Sequence, residues 1–182
     1  MKIGVYVGSF NPVHKGHMKI VEYLLDRKVV DKVLIVPTLG YWDKQNLVDL
    51  NHRINMLKIF EKENIKIDTT HNKCTYTCEI MEKLSEETND EYYLILGADN
   101  IVQFGKWEYN ERLSPYKIIV MNRNKIDINS YIENYEMWDF IVLNDFDCIN
   151  VSSSEIRKDL NNKYLDKRVF DYIYANNLYH GI

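Results

Sequence analysis

Short runs that are apolar at nearly every position alternate along this chain with stretches of helical spacing, and that alternation limits the folds open to it. Ile3–Val7 is the first such run. A helical stretch follows from Gly16 to about Arg27, with Ile20, Val21, Leu24 and Leu25 on one face. Val33–Val36 then precedes a helix from about Asn51 that carries Ile54, Met56, Leu57, Ile59 and Phe60. Ile65–Asp68 reads as a third strand, Thr77 to about Glu87 as a helix and Tyr92–Leu96 as a fourth strand; Lys117–Met121 and Phe140–Leu143 complete the set. Strands lacking a polar face must be covered on both sides, and right-handed crossovers place helices there. The expectation is an α/β fold built on a doubly wound parallel sheet, with C-terminal helices. Ser152 and Glu155 have the form of a capping box for the first of these helices, and Val169, Phe170, Ile173 and Tyr174 give the second an apolar face. The polar stretch Ser85–Glu91 reads as a solvated loop.

The 182 residues suit one domain over 1–182, long enough to bury a real core. A formal charge of -4 argues against broad binding to nucleic acid or an anionic membrane, which needs a basic face, so any phosphate site must be local. The opening apolar run is too short for a signal sequence and no later run approaches a membrane span, which reads as a soluble cytoplasmic protein. Cys74, Cys78 and Cys148 are odd in number, lack paired metal spacing and read as buried or idle thiols in a reducing compartment. A homo-oligomer is compatible with the sequence, which does not specify one.

The first strand runs into Gly8-Ser9-Phe10-Asn11-Pro12-Val13-His14-Lys15-Gly16-His17. In open α/β sheets ligands bind beyond the carboxyl ends of the strands, and the first strand-to-helix turn is the favoured phosphate site. Gly8 and Gly16 permit close backbone approach, and the next helix aims its amides at an anion. His14 and His17, at the start of that helix, are candidate donors to phosphate oxygens. A cap or a metal pair is the plainer reading of two such histidines, but the glycine-flanked string after a first strand favours phosphate. Ser152-Ser153-Ser154-Glu155-Ile156-Arg157 is a second candidate, with serine hydroxyls, helix amides and a guanidinium suited to the far phosphates of a nucleotide. Taken alone it is an ordinary serine-capped helix.

Together the HxGH-type turn and the later SSSxIR helix resemble the nucleotidylyltransferase superfamily, which implies a Rossmann-like nucleotidylyltransferase fold. Thr75-Tyr76-Thr77 with Met81 and Leu84, Gly97-Ala98-Asp99 with Trp107, and Tyr172-Ile173 with Asn177-Leu178-Tyr179 extend the resemblance over almost the whole chain. Within the superfamily they resemble the bacterial nicotinate or nicotinamide mononucleotide adenylyltransferases. The resemblance implies that Gly8, Ser9 and Phe10 contact adenosine, with Gly16, His14 and His17 at the ATP phosphates. It places Asp99, after Gly97, at the ribose, and Ser152, Ser153 and Arg157 at the triphosphate tail. Tyr76, Thr77 and Trp107 would hold the pyridine mononucleotide. Lys44 stands where the family's loop after the second strand carries a phosphate-binding lysine, and Arg53 is its expected companion. That loop departs from the family's Pro-Pro-His-Lys run, reading Pro37-Thr38-Leu39-Gly40-Tyr41-Trp42-Asp43-Lys44 here. Glu108 follows Trp107 where the family more often has an aromatic residue or histidine; an acid facing the ring would oppose a nicotinate carboxylate.

The implied reaction moves AMP from ATP to the mononucleotide and releases pyrophosphate, with Mg²⁺ carried on the ATP rather than held by protein side chains. ATP and a pyridine mononucleotide are the implied partners. Phosphopantetheine as acceptor and a non-catalytic ATP-binding sensor remain the alternatives. A class I aminoacyl-tRNA synthetase fragment is disfavoured, because SSSEIR stands where a lysine-rich loop belongs.

Overall fold

The computed structural model describes residues 1–40, 47–123 and 125–180. Six strands form one sheet: β1 (Lys2–Gly8), β2 (Lys32–Pro37), β3 (Ile65–Ile67), β4 (Glu91–Gly97), β5 (Lys117–Met121) and β6 (Asp139–Leu143). All neighbours are parallel, in the order β3-β2-β1-β4-β5-β6. The chain therefore lays down β1, β2 and β3 toward one edge, then returns to place β4 on the other side of β1. Strand order reverses between β1 and β4, and a crevice opens beyond their carboxyl ends.

The helices are α1 (Lys15–Asp26), α2 (Leu50–Lys58), α3 (Thr77–Glu87), α4 (Ala98–Gln103), α5 (Ile128–Ile132), α6 (Ser153–Lys158) and α7 (Lys167–Ala175). Successive strand residues face opposite ways, so the sheet has two cores. Tyr6, Ile35, Ile95 and Ile119 pack with Val21 and Leu24 of α1, Met56 and Leu57 of α2, Ile156 of α6, and Val169 and Ile173 of α7. Val5, Val36, Leu94 and Val120 pack on the opposite face with Ile80 and Met81 of α3, Ala98 and Ile101 of α4, and Ile128 of α5. Each fully buried aliphatic side chain contributes about 1.5–3 kcal/mol, and apolar faces of this kind, rather than helix propensity, hold such short helices. The doubly wound sheet and the C-terminal helices stand as the sequence implies.

Two local readings change. Ser85–Glu87 belongs to the last turn of α3, where the Ser85 hydroxyl donates to the Met81 carbonyl at 2.8 Å, and Glu91 already opens β4. Only Thr88–Asp90 forms the connection. The helices α4 and α5 and the 3₁₀ turns Phe104–Lys106 and Asn110–Leu113 are additions to the sequence reading. Among the described residues no helix is long and apolar enough to cross a membrane.

Candidate active site

A cavity of about 560 Å³ fills the crevice at the β1/β4 reversal, a size that accommodates a nucleotide. Gly8, Ser9, Phe10, His14, Gly16 and His17 line it from the turn after β1. Gly97 and Asp99 line it from the end of β4, Ser153 from the start of α6, and Lys73–Thr77 from the segment leading into α3.

The turn is shaped by its own hydrogen bonds. His14 is the N-cap of α1: its Nδ1 accepts the Gly16 N–H at 3.0 Å and the His17 N–H at 3.4 Å. His17 Nδ1 in turn accepts the His14 N–H at 3.1 Å, closing a reciprocal capping box. The rings stack with centroids 3.7 Å apart, and the edge of Phe10 meets His17 at 4.9 Å. Gly16 is required by this packing, since a Cβ there would lie 2.8 Å from His14 Cε1. Phe10 sits at φ 48°, a left-handed conformation costly for a bulky residue, and is held there by near-complete burial.

Both histidines are kept neutral. Burial, with the Arg123 charge added, lowers the His14 pKa to about 3; burial, then His14 and Arg123, drive His17 well below its ordinary value. A neutral imidazole whose Nδ1 accepts a hydrogen bond carries its proton on Nε2. The site thus presents two fixed Nε2–H donors with no charge of their own.

Arg123, just past the end of β5, also lines the cavity, and sequence reasoning missed it. Its Nη2 donates to the Val151 carbonyl at 2.7 Å, its Nη1 lies 3.6 Å from Asp99 Oδ2, and its buried Nε has no hydrogen-bond partner among the described residues. A cation directly after the carboxyl end of a central strand was the available signal. Gly97 makes room for Asp99, because a Cβ there would lie 2.7 Å from Asp99 Oδ1.

The second motif docks on the first. Ser152 caps α6 through Glu155, as expected. The Ser153 hydroxyl donates to the Pro12 carbonyl at 2.9 Å, and Arg157 Nη1 donates to the Asn11 carbonyl at 2.8 Å. Asn11 is buried, and its side-chain oxygen accepts the Tyr179 hydroxyl at 2.7 Å. Two sequence-distant ends thus close onto one turn.

Other candidates sit elsewhere. Arg53 is buried and serves as a strut: its guanidinium donates to the carbonyls of Val48, Ser9 and Thr38 at 3.1, 2.8 and 2.6 Å. Trp107 leans on Phe104, with centroids 5.5 Å apart, and is not on the cavity wall, whereas Tyr76 and Thr77 are. Ser152 and Arg157 also stand behind the wall rather than on it. Lys44 lies outside the described residues. Glu108 Oε2 accepts the Tyr76 hydroxyl at 3.1 Å and is not a lining residue. Cys78 is buried, but Cys74 and Cys148 line the cavity, so they are not simply buried thiols.

The buried neutral histidines carry a pH consequence. In the unfolded chain each titrates near 6.5; folded, His14 stays neutral to about 3. The folded pKa is depressed, so this contribution to stability is complete above pH 6.5 and is lost progressively as pH falls toward 3. For His14 it amounts to something on the order of 4 kcal/mol over that whole window. His71 is raised instead, so its contribution is already complete below 6.5 and adds no slope there. Urea unfolding between pH 6.5 and 5 should therefore show stability falling with acid, and His14→Asn, which can still cap α1, should lessen the slope while His17 keeps the remainder.

A parallel doubly wound sheet with a histidine-bearing turn at its strand-order reversal has the architecture of a nucleotide-binding α/β protein. The cytidylyltransferase-like family model matches residues 5–159, and the chain belongs to that family. A probable nicotinate-nucleotide adenylyltransferase of Fusobacterium nucleatum is 34% identical, with 90% of this chain and 89% of the relative covered. One from Acholeplasma laidlawii is 32% identical, over 98% and 97%. Among solved structures, Plasmodium falciparum nicotinic acid mononucleotide adenylyltransferase complexed with NaAD superposes with a TM-score of 0.81 at 26% identity, over 98% of this chain and 97% of that one. The same enzyme complexed with APC gives 0.78 at 28% identity, over 98% and 96%.

Proposed function

We propose that this chain transfers the adenylyl group of ATP to the 5'-phosphate of nicotinate mononucleotide, releasing pyrophosphate and forming a dinucleotide of NAD biosynthesis. The observation that carries the reading is the pair of neutral Nε2–H donors in the crevice, with Arg123 beside them and the Tyr76-Thr77 wall bordering the same cavity. The named relatives and the two Plasmodium complexes support the acceptor.

A phosphate monoester has a second pKa of about 6, so at neutral pH it is already largely a dianion and needs no dedicated base. One of its oxygens attacks the α-phosphorus in line; the bond to the bridging oxygen breaks and pyrophosphate leaves with the electron pair. The protein's task is to align two anions and stabilise the charge that develops. Neutral donors suit it, because a proton held at Nε2 is shared with the α-phosphate and bridging oxygens without being lost to them. Arg123 supplies the fixed positive charge, Asp99 receives ribose hydroxyls, and the amides of Gly8–Phe10 border the adenosine. Ser153 faces the triphosphate tail, with Arg157 behind it. Mg²⁺ would be carried on the triphosphate and would screen the charge of its tail.

Glu108 bears on the choice between acid and amide. Its carboxylate accepts the Tyr76 hydroxyl and does not line the cavity, so the preference for nicotinate rests on the named relatives. Competing nicotinate and nicotinamide mononucleotides in one reaction with ATP tests this directly. Excess nicotinate product supports the assignment; excess amide product transfers the preference to nicotinamide mononucleotide.

A further inference from the structure

Away from the histidine pair, the ring of His71 is gripped on both sides. Nδ1 lies 2.7 Å from Asp68 Oδ2 and Nε2 lies 2.8 Å from Glu87 Oε1. His71 and Asp68 are buried, and Glu87 is half exposed. Carboxylates only accept, so both ring nitrogens must carry protons for both bonds to form. Burial works against the charged ring, but the hydrogen bonds and charges of Glu87 and Asp68 outweigh it and raise the pKa above its ordinary value.

The grip joins three pieces of chain. Asp68 follows β3 and also accepts the N–H groups of Thr70 and His71 through Oδ1, at 2.8 and 2.7 Å. The His71 carbonyl accepts the Cys74 N–H at 3.2 Å, which leads directly into the cavity-lining residues Lys73–Thr77. Glu87 ends α3, the helix that Thr77 begins. The entry to α3 thus lacks a side-chain cap at Tyr76 but is tied, through His71, to the last turn of the same helix.

We propose that His71, held between Asp68 and Glu87, is a positioning residue that sets the Lys73–Thr77 wall for the pyridine mononucleotide, so that loosening the ring weakens mononucleotide binding and leaves ATP binding unchanged. This rests on the adenylyl-transfer reading above. His71 touches neither substrate; it acts through the backbone it anchors.

The test is steady-state kinetics on the full chain with ATP and nicotinate mononucleotide varied separately. Wild-type turnover is measured first, and its absence would reject the functional reading, not the clamp. In His71→Gln one amide group serves one carboxylate at a time, and a lost charge-assisted bond is worth about tenfold, so the mononucleotide KM should rise about 10-fold. The ATP KM should stay within about 2-fold. Glu87→Gln, at a half-exposed position that tolerates the change, should move the mononucleotide KM the same way by about 3-fold and decides the matter if His71→Gln does not fold. A merely structural residue would raise both KM values together or change neither, and either result overturns the proposal.

A pH series adds a readout that stability alone does not move. Asp68 from the same segment and Glu87 from α3 are the charged groups facing the ring. From pH 7 to 9 the substrate phosphate is already a dianion, so a wild-type mononucleotide KM that climbs, and becomes flat in His71→Gln, supports the clamp. Identical profiles contradict it.

Discussion

Replacing His17 by alanine lowers turnover by roughly two to three orders of magnitude while the protein stays folded. A donor aimed at charge that develops in the transition state contributes about 3–4 kcal/mol, far more than a ground-state hydrogen bond in water. The structure makes the assignment sharper than a histidine count would. His17 Nδ1 is already occupied by the His14 N–H, so its chemistry resides on Nε2. His17→Ala also removes one half of the α1 capping box, a loss of about 1 kcal/mol that a core of this size absorbs. Steady-state turnover beside thermal unfolding checks both statements. Turnover near the wild-type level would remove His17 from the reaction.

Arg123→Met should lower kcat/KM by about 100-fold, since a charge-stabilising contact is lost while the aliphatic stem is kept. Two further effects have the same origin. The Val151 carbonyl, 2.7 Å from the guanidinium, loses its donor just before α6, so the segment that carries Ser153 is less firmly placed. The positive charge that helps hold His14 and His17 neutral also disappears, so their pKa values rise, while burial, the larger cause, still holds both below the ordinary value. Normal kcat/KM would exclude Arg123 from the reaction.

The strands were legible because each is apolar over enough residues to be buried on both faces, and six of them in parallel admit few arrangements. The elements that escaped are short and polar: α4 is Ala98–Gln103 and α5 is Ile128–Ile132, held by one or two buried anchors such as Ile101 and Ile128 rather than by a long apolar stripe. The histidine turn was legible as a candidate site at the mouth of the sheet, but not the reciprocal capping that fixes its tautomers, since which ring nitrogen is occupied depends on backbone geometry. Arg123 and His71 were missed for a related reason. Asp99 and Val151 are distant from Arg123 in sequence, and although Asp68 is only three residues from His71, Glu87 is sixteen away, so neither set forms a motif. Arg53 shows the converse: a cation beside a phosphate loop invites a ligand role, yet burial turned it into the tie that joins the Ser9, Thr38 and Val48 carbonyls.

The most direct measurement offers wild-type protein ATP and Mg²⁺ with nicotinate mononucleotide, nicotinamide mononucleotide or phosphopantetheine in separate reactions, following pyrophosphate and weighing each product. Fastest release with nicotinate mononucleotide, matched by a product of the mass of its adenylyl dinucleotide, is the expected result. Turnover of phosphopantetheine alone, or ATP binding without pyrophosphate release for any acceptor, would contradict it.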